Sequence, residues 1–307
     1  MPTVLIHDCD HASLEPEREL LEPAGVELRV GGEGDADVLV VQYAHVDAAW
    51  LDRMPSCRAV IRYGVGVDTV DVEAATARGV WVVNVPDYGT AEVADHAVAL
   101  VLALLRGVIV LDRSVRAGGW DDGAAGELRR LSSLTLGVVG CGRIGTAVAE
   151  RAAAHGLRVL GSDPEGVRPP AEPSSLDDLL AAADAVSLHA PLGPATHHLI
   201  DAGALERLRP GAFLVNTSRG GLVDSAAVLA ALESGRLAGV ALDVLEHEPP
   251  ETAAERELVR HPRAVVTPHA AWRSRESELA LKTEVAREAL RVIEGREPRS
   301  PVNRIGA

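Results

Sequence analysis

The chain has 307 residues, 47% of them hydrophobic and 24% charged, with a formal net charge of −15. That size and balance suit one large globular domain or two medium ones. The acidic surplus excludes a basic patch able to neutralise nucleic-acid phosphates, so no nucleic-acid partner is expected. The widely spaced Cys9, Cys57 and Cys141 lack metal-ligand spacing and read as free thiols of a reducing cytoplasm. The opening "MPTVLIHDCD" has no basic n-region, so no secretion signal is expected.

From the N-terminus, "TVLIHD", "DVLVVQ", "RAVIRY" and "VWVVNV" are β-branched runs of strand length, with helix-like "DAAWLDRM" and "DVEAATARG" between them. The alternation predicts βαβ units and a parallel sheet. After "RAVIRY", Gly64 and Gly66 expose backbone N–H groups at a strand's carboxyl end, beside Arg62. This turn reads either as a nest for a substrate carboxylate or as a plain strand-to-helix turn. A helix over about residues 90–106 then carries the chain away. The apolar run 93–110, interrupted by Asp95, His96 and Arg106, reads as a buried helix and not a membrane span. The glycine-rich "AGGWDDGAAGEL" reads as an exposed linker or oligomer arm. A second series of strands follows in "LTLGVVG", "LRVLGSD", "DAVSLHA", "AFLVNT", "GVALDV" and "AVVTPH", and a last amphipathic helix covers about residues 274–294. Two α/β units are expected.

The second series opens with Gly140-x-Gly142-x-x-Gly145 between an apolar strand and an amphipathic helix, and the next strand ends in Asp163. Strand, glycines, helix and acid together make the dinucleotide fingerprint. The glycines permit a tight turn and close approach of backbone to pyrophosphate, and the helix N-terminus supplies amides and partial positive charge. Asp163 can accept from both ribose hydroxyls and would repel a 2′-phosphate, which favours NAD over NADP.

Three later strands end in reacting groups: "FLVNTSRGGLVD" offers Arg219, "GVALDVLEHEPP" offers Asp243 and Glu248, and "VVTPH" offers His269. In open α/β sheets ligands bind at such strand ends. The set suits hydride transfer to a 2-oxo acid. Arg219 holds the carboxylate bidentately and polarises the ketone, His269 donates a proton to the developing alkoxide, and Glu248 holds the imidazole. The competing readings are a surface ion pair for Arg219 and a solvated loop carboxylate for Glu248. His189, His197 and His198 raise the question of a metal, but no matching Cys or carboxylate cluster is visible and none is expected.

The motifs "RYGVGVDTVD", "GTAEVADHAVALVLALLR", "LGVVGCGRIG", "LHAPLGPATHHLI", "NTSRGGLVD", "ALDVLEHEPP" and "TPHAAW" occur in this order from about Asp37 to Asn303. In them the chain resembles the D-isomer-specific 2-hydroxyacid dehydrogenase family. The resemblance implies an α/β fold with a flavodoxin-like substrate domain, a doubly wound NAD-binding domain and a cleft between them. It places the discontinuous substrate domain at 1–97 and 273–307 and the NAD domain at 98–272. It assigns Arg219, Glu248 and His269 as the catalytic trio and Asp243 to the nicotinamide carboxamide. It adds Arg143, Ile144, His189, Pro191, Thr196, Thr217 and Ser218 to the glycines and Asp163 as cofactor contacts. Arg62, the Val65 and Gly66 amides, Arg219 and Trp272 would meet a small 2-oxo or 2-hydroxy acid. A homodimer through the NAD domain is implied, with no membrane partner. "TPHAAW" and "YGTAEVADH" are similar to the C-terminal-binding-protein branch, which includes corepressors that sense NADH. Arg62 matches an arginine of phosphoglycerate dehydrogenases, and the C-terminal end leaves no room for a regulatory domain. An NADH-sensing scaffold is therefore the second reading. The intact trio favours the enzyme, because a scaffold has no need of a proton donor.

Overall fold

The β-branched runs become the strands of two all-parallel sheets in the computed structural model, which describes residues 1–306. The first unit opens with β1 (Thr3–Ile6), α1 (Glu15–Leu21), β2 (Glu27–Val30), β3 (Val38–Val41), α2 (Ala48–Asp52), β4 (Ala59–Arg62), α3 (Val72–Ala77) and β5 (Trp81–Val83). Its sheet order is β2-β1-β3-β4-β5, the flavodoxin-like arrangement. Every residue of β3 is buried, as expected of a parallel strand covered on both faces. The α2 and α3 helices start where Asp47 and Asp71 accept from the Trp50 and Ala74 amides, each at 2.8 Å, satisfying otherwise orphaned donors.

The second unit comprises α4 (Thr90–Leu105), α5 (Val108–Arg116), β6 (Thr135–Val139), α6 (Arg143–Ala154), β7 (Arg158–Ser162), β8 (Glu172–Pro173), α7 (Leu176–Ala182), β9 (Ala185–Leu188), α8 (Ala202–Arg207), β10 (Ala212–Asn216), α9 (Ser225–Glu233), β11 (Leu237–Leu242), α10 (Ala253–Arg260) and β12 (Ala264–Val266). The order β12-β11-β10-β9-β6-β7-β8 is doubly wound. The chain runs from β6 outward to β8, then returns to β9 on the other side, so the direction reverses between β6 and β9.

Finally α11 (Arg275–Ile293) returns to the first unit. It packs on α1 and β4 and buries Leu281, Val285, Ala286, Ala289 and Val292. Lys282, the only lysine, is buried there and pairs with Glu278 at 2.5 Å. Asn303 ties the tail down by accepting from the Val82 amide (2.8 Å) and donating to the Val80 carbonyl (2.9 Å).

The first unit is Met1–Gly89 with the chain from Arg273 onward, and the second is Thr90–Trp272. The expected first crossing at 97/98 therefore moves to 89/90. The α4 helix joins the second unit as a whole, because Val93, Ala94, Ala97, Val98, Leu100, Val101, Leu104 and Leu105 form one buried stripe against α6, β10 and β11. The single buried helix expected over 93–110 is also corrected. The chain bends by 63° between α4 and α5, at Gly107 (φ +62°), where a Cβ would stand 2.5 Å from that of Ala125. Beyond the bend α5 buries none of its residues. No single helix among the described residues is long and apolar enough to cross a membrane.

Candidate active site

The glycine loop lies between β6 and α6, next to the reversal of strand order. Gly140 has φ +87°, and a Cβ there would stand 2.5 Å from the Ala190 amide nitrogen. A Cβ on Gly145 would stand 1.9 Å from the Gly140 carbonyl oxygen, whereas Gly142 has nothing within 4 Å. Two glycines thus let backbone meet backbone, and the third keeps the outer face of the turn open. The twelve-residue α6 has no side-chain cap at Gly142, leaving first-turn amides for an anion. Arg143 is exposed beside them, and Ile144 packs partly into the core.

Asp163, just beyond β7, accepts from the Cys141 amide (2.6 Å) and the Glu165 amide (2.7 Å). Each oxygen keeps a lone pair for a ribose hydroxyl. At the end of β10, the Thr217 hydroxyl is buried with no partner among the described residues; a bound dinucleotide would satisfy it. These features fit NAD.

The other expected contacts take individual roles. Ser218 donates to the Ala190 carbonyl at 2.7 Å. Thr196 donates to the Pro191 carbonyl at 2.7 Å and accepts from the Gly193 amide at 2.9 Å, closing the loop after β9. His189 sits 2.8 Å from the Ser187 hydroxyl, and burial pushes its imidazole down to about 4, so the ring is neutral. Asp163→Ala is expected to raise the KM for NAD by about 10–100-fold, the equivalent of losing ~1.5–3 kcal/mol of charged hydrogen bonding. The KM for NADP should move far less. Steady-state kinetics with both cofactors would check this, and an unchanged ratio would place the ribose contact elsewhere.

Neighbouring strands β10, β11 and β12 deliver the reacting groups to one end of the sheet. Arg219 follows β10, where the buried Asn216 shapes its turn by donating to the Arg219 carbonyl (2.8 Å) and accepting from the Ser218 amide (3.0 Å). Gly220 presses on the chain after β11, where its Cβ would stand 1.9 Å from the Leu245 carbonyl carbon. Glu248 accepts from the Leu245 amide through Oε1 (3.0 Å) and from His269 Nδ1 through Oε2 (2.7 Å). A carboxylate can only accept, so Nδ1 carries the proton of this pair and Nε2 is left for a substrate.

His269 has φ +51°, a costly conformation for a residue with a Cβ. It is held there by its amide bonds to the Asp243 carbonyl (2.7 Å) and the Thr267 carbonyl (3.0 Å). Asp243, expected at the carboxamide, is 1% exposed. It accepts from the Thr267 hydroxyl (2.6 Å) and the Ala270 and Ala271 amides (2.9 Å each). In the structure it organises the loop that carries His269, and His96 on α4 extends the network to Thr267 at 3.1 Å. Trp272, at the end of the same loop, is half-buried.

Sequence reading missed Glu255. Its buried carboxylate accepts from the His247 amide and ring, the Glu251 amide, and the Thr252 amide and hydroxyl, at 2.9–3.1 Å, and so shapes the turn around Glu248. The available signal was the Thr252-x-x-Glu255 capping box that starts α10. Burial pushes the Glu255 carboxyl up, but the hydrogen bonds from Thr252 and His247 outweigh it and hold the group down at about 2, against an ordinary 4.5. A depressed carboxyl contributes stability above its unfolded-state pKa and loses it as pH falls through the folded value. Glu255→Ala should therefore cost roughly 3 kcal/mol near neutrality by orphaning several donors. The gap to wild type should narrow as pH drops from 4.5 toward 2. Denaturant melts across that range would reveal it; a pH-independent gap would remove the carboxylate from the account.

In the first unit, the turn after β4 carries Val65 and Gly66. The Val65 and Gly66 amides find no acceptor among the described residues, and the Val65 carbonyl is held by Asn84 Nδ2 at 2.6 Å. Gly64 (φ +133°) makes room for Arg62, whose Nη1 would stand 1.6 Å from a Cβ there, with the Tyr88 hydroxyl 3.5 Å from the same point. Tyr43, exposed at the end of β3, donates to Asp10 at 2.9 Å. One expectation is corrected in the second unit. His197 and His198 do have a carboxylate neighbour, Glu246, which lies too far along the chain for spacing to reveal. His189 is not part of that group.

Comparison with known proteins gives the family. The family model described as D-isomer specific 2-hydroxyacid dehydrogenase, NAD binding domain, matches residues 98–271, and the chain belongs to that family. It is 43% identical over 258 residues, 82% of its length, to the D-3-phosphoglycerate dehydrogenase of Mycobacterium tuberculosis, of which the match covers 48%. The chain spans about half the length of the curated relatives it matches. Among solved structures it is similar to a glyoxylate reductase from Paecilomyes thermophila, with TM-score 0.87, 30% identity and coverage of 98% of both chains. It is also similar to a D-lactate dehydrogenase from Aquifex aeolicus complexed with NAD and lactic acid, with TM-score 0.88, 26% identity and coverage of 95% of this chain and 96% of that one. The second unit is thus the NAD-binding domain of that family.

Proposed function

We propose that the protein interconverts a small 2-oxo acid and its D-2-hydroxy acid with NAD(H), with reduction as the working direction. The observation that carries this reading is the 2.7 Å His269–Glu248 pair, set on the same sheet as the glycine loop. Bound NADH supplies the hydride. The chain's own groups do the rest: Arg219 holds the carboxylate and polarises the ketone, and His269 Nε2 gives its proton to the oxygen as charge develops there. Glu248 keeps the ring in the required tautomer and stabilises the imidazolium. The anion-receptive turn of the first unit independently supports an acidic substrate.

The relatives and structures compared above are named as dehydrogenases and reductases, and they give no support to the corepressor-like scaffold or to the C-terminal-binding-protein branch. The reading extends to a homodimer through the second unit, supported by the exposed Val108, Val115 and Trp120 on and near α5, and to a reducing cytoplasm, supported by three free thiols.

The test is loss of NADH absorbance with purified protein against glyoxylate, hydroxypyruvate, pyruvate and larger 2-oxo acids. The reverse reaction should be run with D-3-phosphoglycerate, named in the curated relatives. Turnover on one acid that depends on His269 is the expected result; NADH binding with no turnover on any acid would overturn the enzyme reading.

A further inference from the structure

Outside the catalytic pair, one set of ligating side chains converges on a point. His197 and His198 lie in the loop between β9 and α8, and Glu246 lies in the segment after β11. The two imidazoles stack with centroids 4.0 Å apart and planes 26° from parallel. Their Nε2 atoms face different oxygens of one carboxylate, His197 to Oε1 at 3.4 Å and His198 to Oε2 at 3.3 Å. One ligand atom from each of the three residues lies within 4.8 Å of the others.

Those separations are long for charge-assisted N–H···O bonds, which close to about 2.7–2.9 Å, as the His269–Glu248 pair does at 2.7 Å. The His198–Glu246 contact is a long hydrogen bond at 3.3 Å, and both separations are close to the ligand–ligand edge of roughly 3.3–3.4 Å that zinc bonds of about 2.0–2.1 Å imply; a small turn of the carboxylate would bring one oxygen to both rings as the shared ligand atom. The backbone supports the arrangement. Adjacent side chains in extended chain point to opposite sides, yet these two rings are nearly parallel. His198 has φ +48° and, with His269, is one of two non-glycine residues with positive φ among those described. Its amide is held by the Gly221 carbonyl at 2.8 Å. Strain retained in this way marks positions where geometry is used.

We propose that His197, His198 and Glu246 bind a divalent transition-metal ion, zinc(II) by donor set, with water in the remaining position. The ion would join the loop after β9 to the segment after β11, two residues before Glu248. The side chains are 53%, 34% and 33% exposed, so the ion exchanges with solution. This site is independent of the hydride-transfer reading.

The experiment is calorimetric titration of EDTA-stripped, full-length protein with zinc chloride. Cobalt(II) absorption serves as a second probe, and the variants are Glu246→Gln and His197→Gln/His198→Gln. Wild type should take up one zinc per chain and give the visible bands of four-coordinate cobalt. Each variant should bind zinc at least about tenfold more weakly, since even outer-shell losses cost 10–100-fold, and the double variant should lose the cobalt bands. NADH affinity, unchanged in all of them, reports that the variants are folded. Wild type that takes up no zinc at about 0.1 mM, or variants that bind it as tightly as wild type, would overturn the proposal.

Discussion

His269→Gln is expected to bind NADH as tightly as wild type while losing about 10²–10⁴-fold in kcat, the usual range for a positioned proton donor. Glutamine can occupy the site and still hydrogen-bond to Glu248, so the glycine loop and Asp163 are untouched. What it cannot do is deliver a proton from the position of Nε2. Glu248→Gln should cost less, because the imidazole survives but loses the acceptor-only partner that fixes its proton on Nδ1 at 2.7 Å. Because the two residues act as one unit, the double variant should be scarcely slower than His269→Gln alone. Single-turnover kinetics on the preferred acid, with NADH binding measured separately, gives the comparison. Wild-type turnover in His269→Gln would remove the proton donor from the mechanism.

Gly145→Ala should abolish useful cofactor binding for a reason unrelated to contact with the cofactor. The added carbon would stand 1.9 Å from the Gly140 carbonyl oxygen and 3.3 Å from a Val138 methyl. The first of these is backbone and cannot rotate away. The N-terminus of α6 must then lift from β6. Overpacking of this kind costs about 1–3 kcal/mol, and a displacement of roughly 1 Å at a positioning element can cost about 10²-fold in function. Both the melting temperature and NADH affinity should fall. Gly142→Ala provides the contrast: its Cβ meets nothing within 4 Å, so the melting temperature should hold while the new methyl obstructs the pyrophosphate. Thermal melts and NADH fluorescence titrations on the pair separate packing from ligand approach. A Gly145→Ala protein with wild-type values for both would mean that the helix can retreat at no cost.

Most strands of both units were legible because parallel strands buried on two faces are rich in Val, Ile and Leu, as β3 is. The β2 strand was not, since at the sheet edge "ELRV" is only partly covered and carries no apolar run. The glycine loop and the Glu248–His269 pair could be read because tight turns and strand ends demand particular residue types in order. Asn216 and Glu255 act through backbone amides brought together by folding, and their neighbours along the chain give little hint of it. The same holds for Glu246, whose meeting with His197 and His198 depends on β9 and β11 both flanking β10. The crossing at 89/90 escaped notice because the apolar stripe of α4 reads the same whichever core it enters.

The interrupted path of the first unit bears on how the chain is made. Its sheet is complete once β5 has left the ribosome, but its cover α11 follows only after the whole of Thr90–Trp272. At about 5–20 residues per second that interval lasts on the order of 10–40 s. Through it, the apolar faces of β3 and β4 wait for a helix not yet synthesised, while the inserted unit has all of its strands and can finish first. A nascent chain stalled before Leu281 would carry a folded nucleotide domain joined to an unroofed sheet, the form on which chaperones would act.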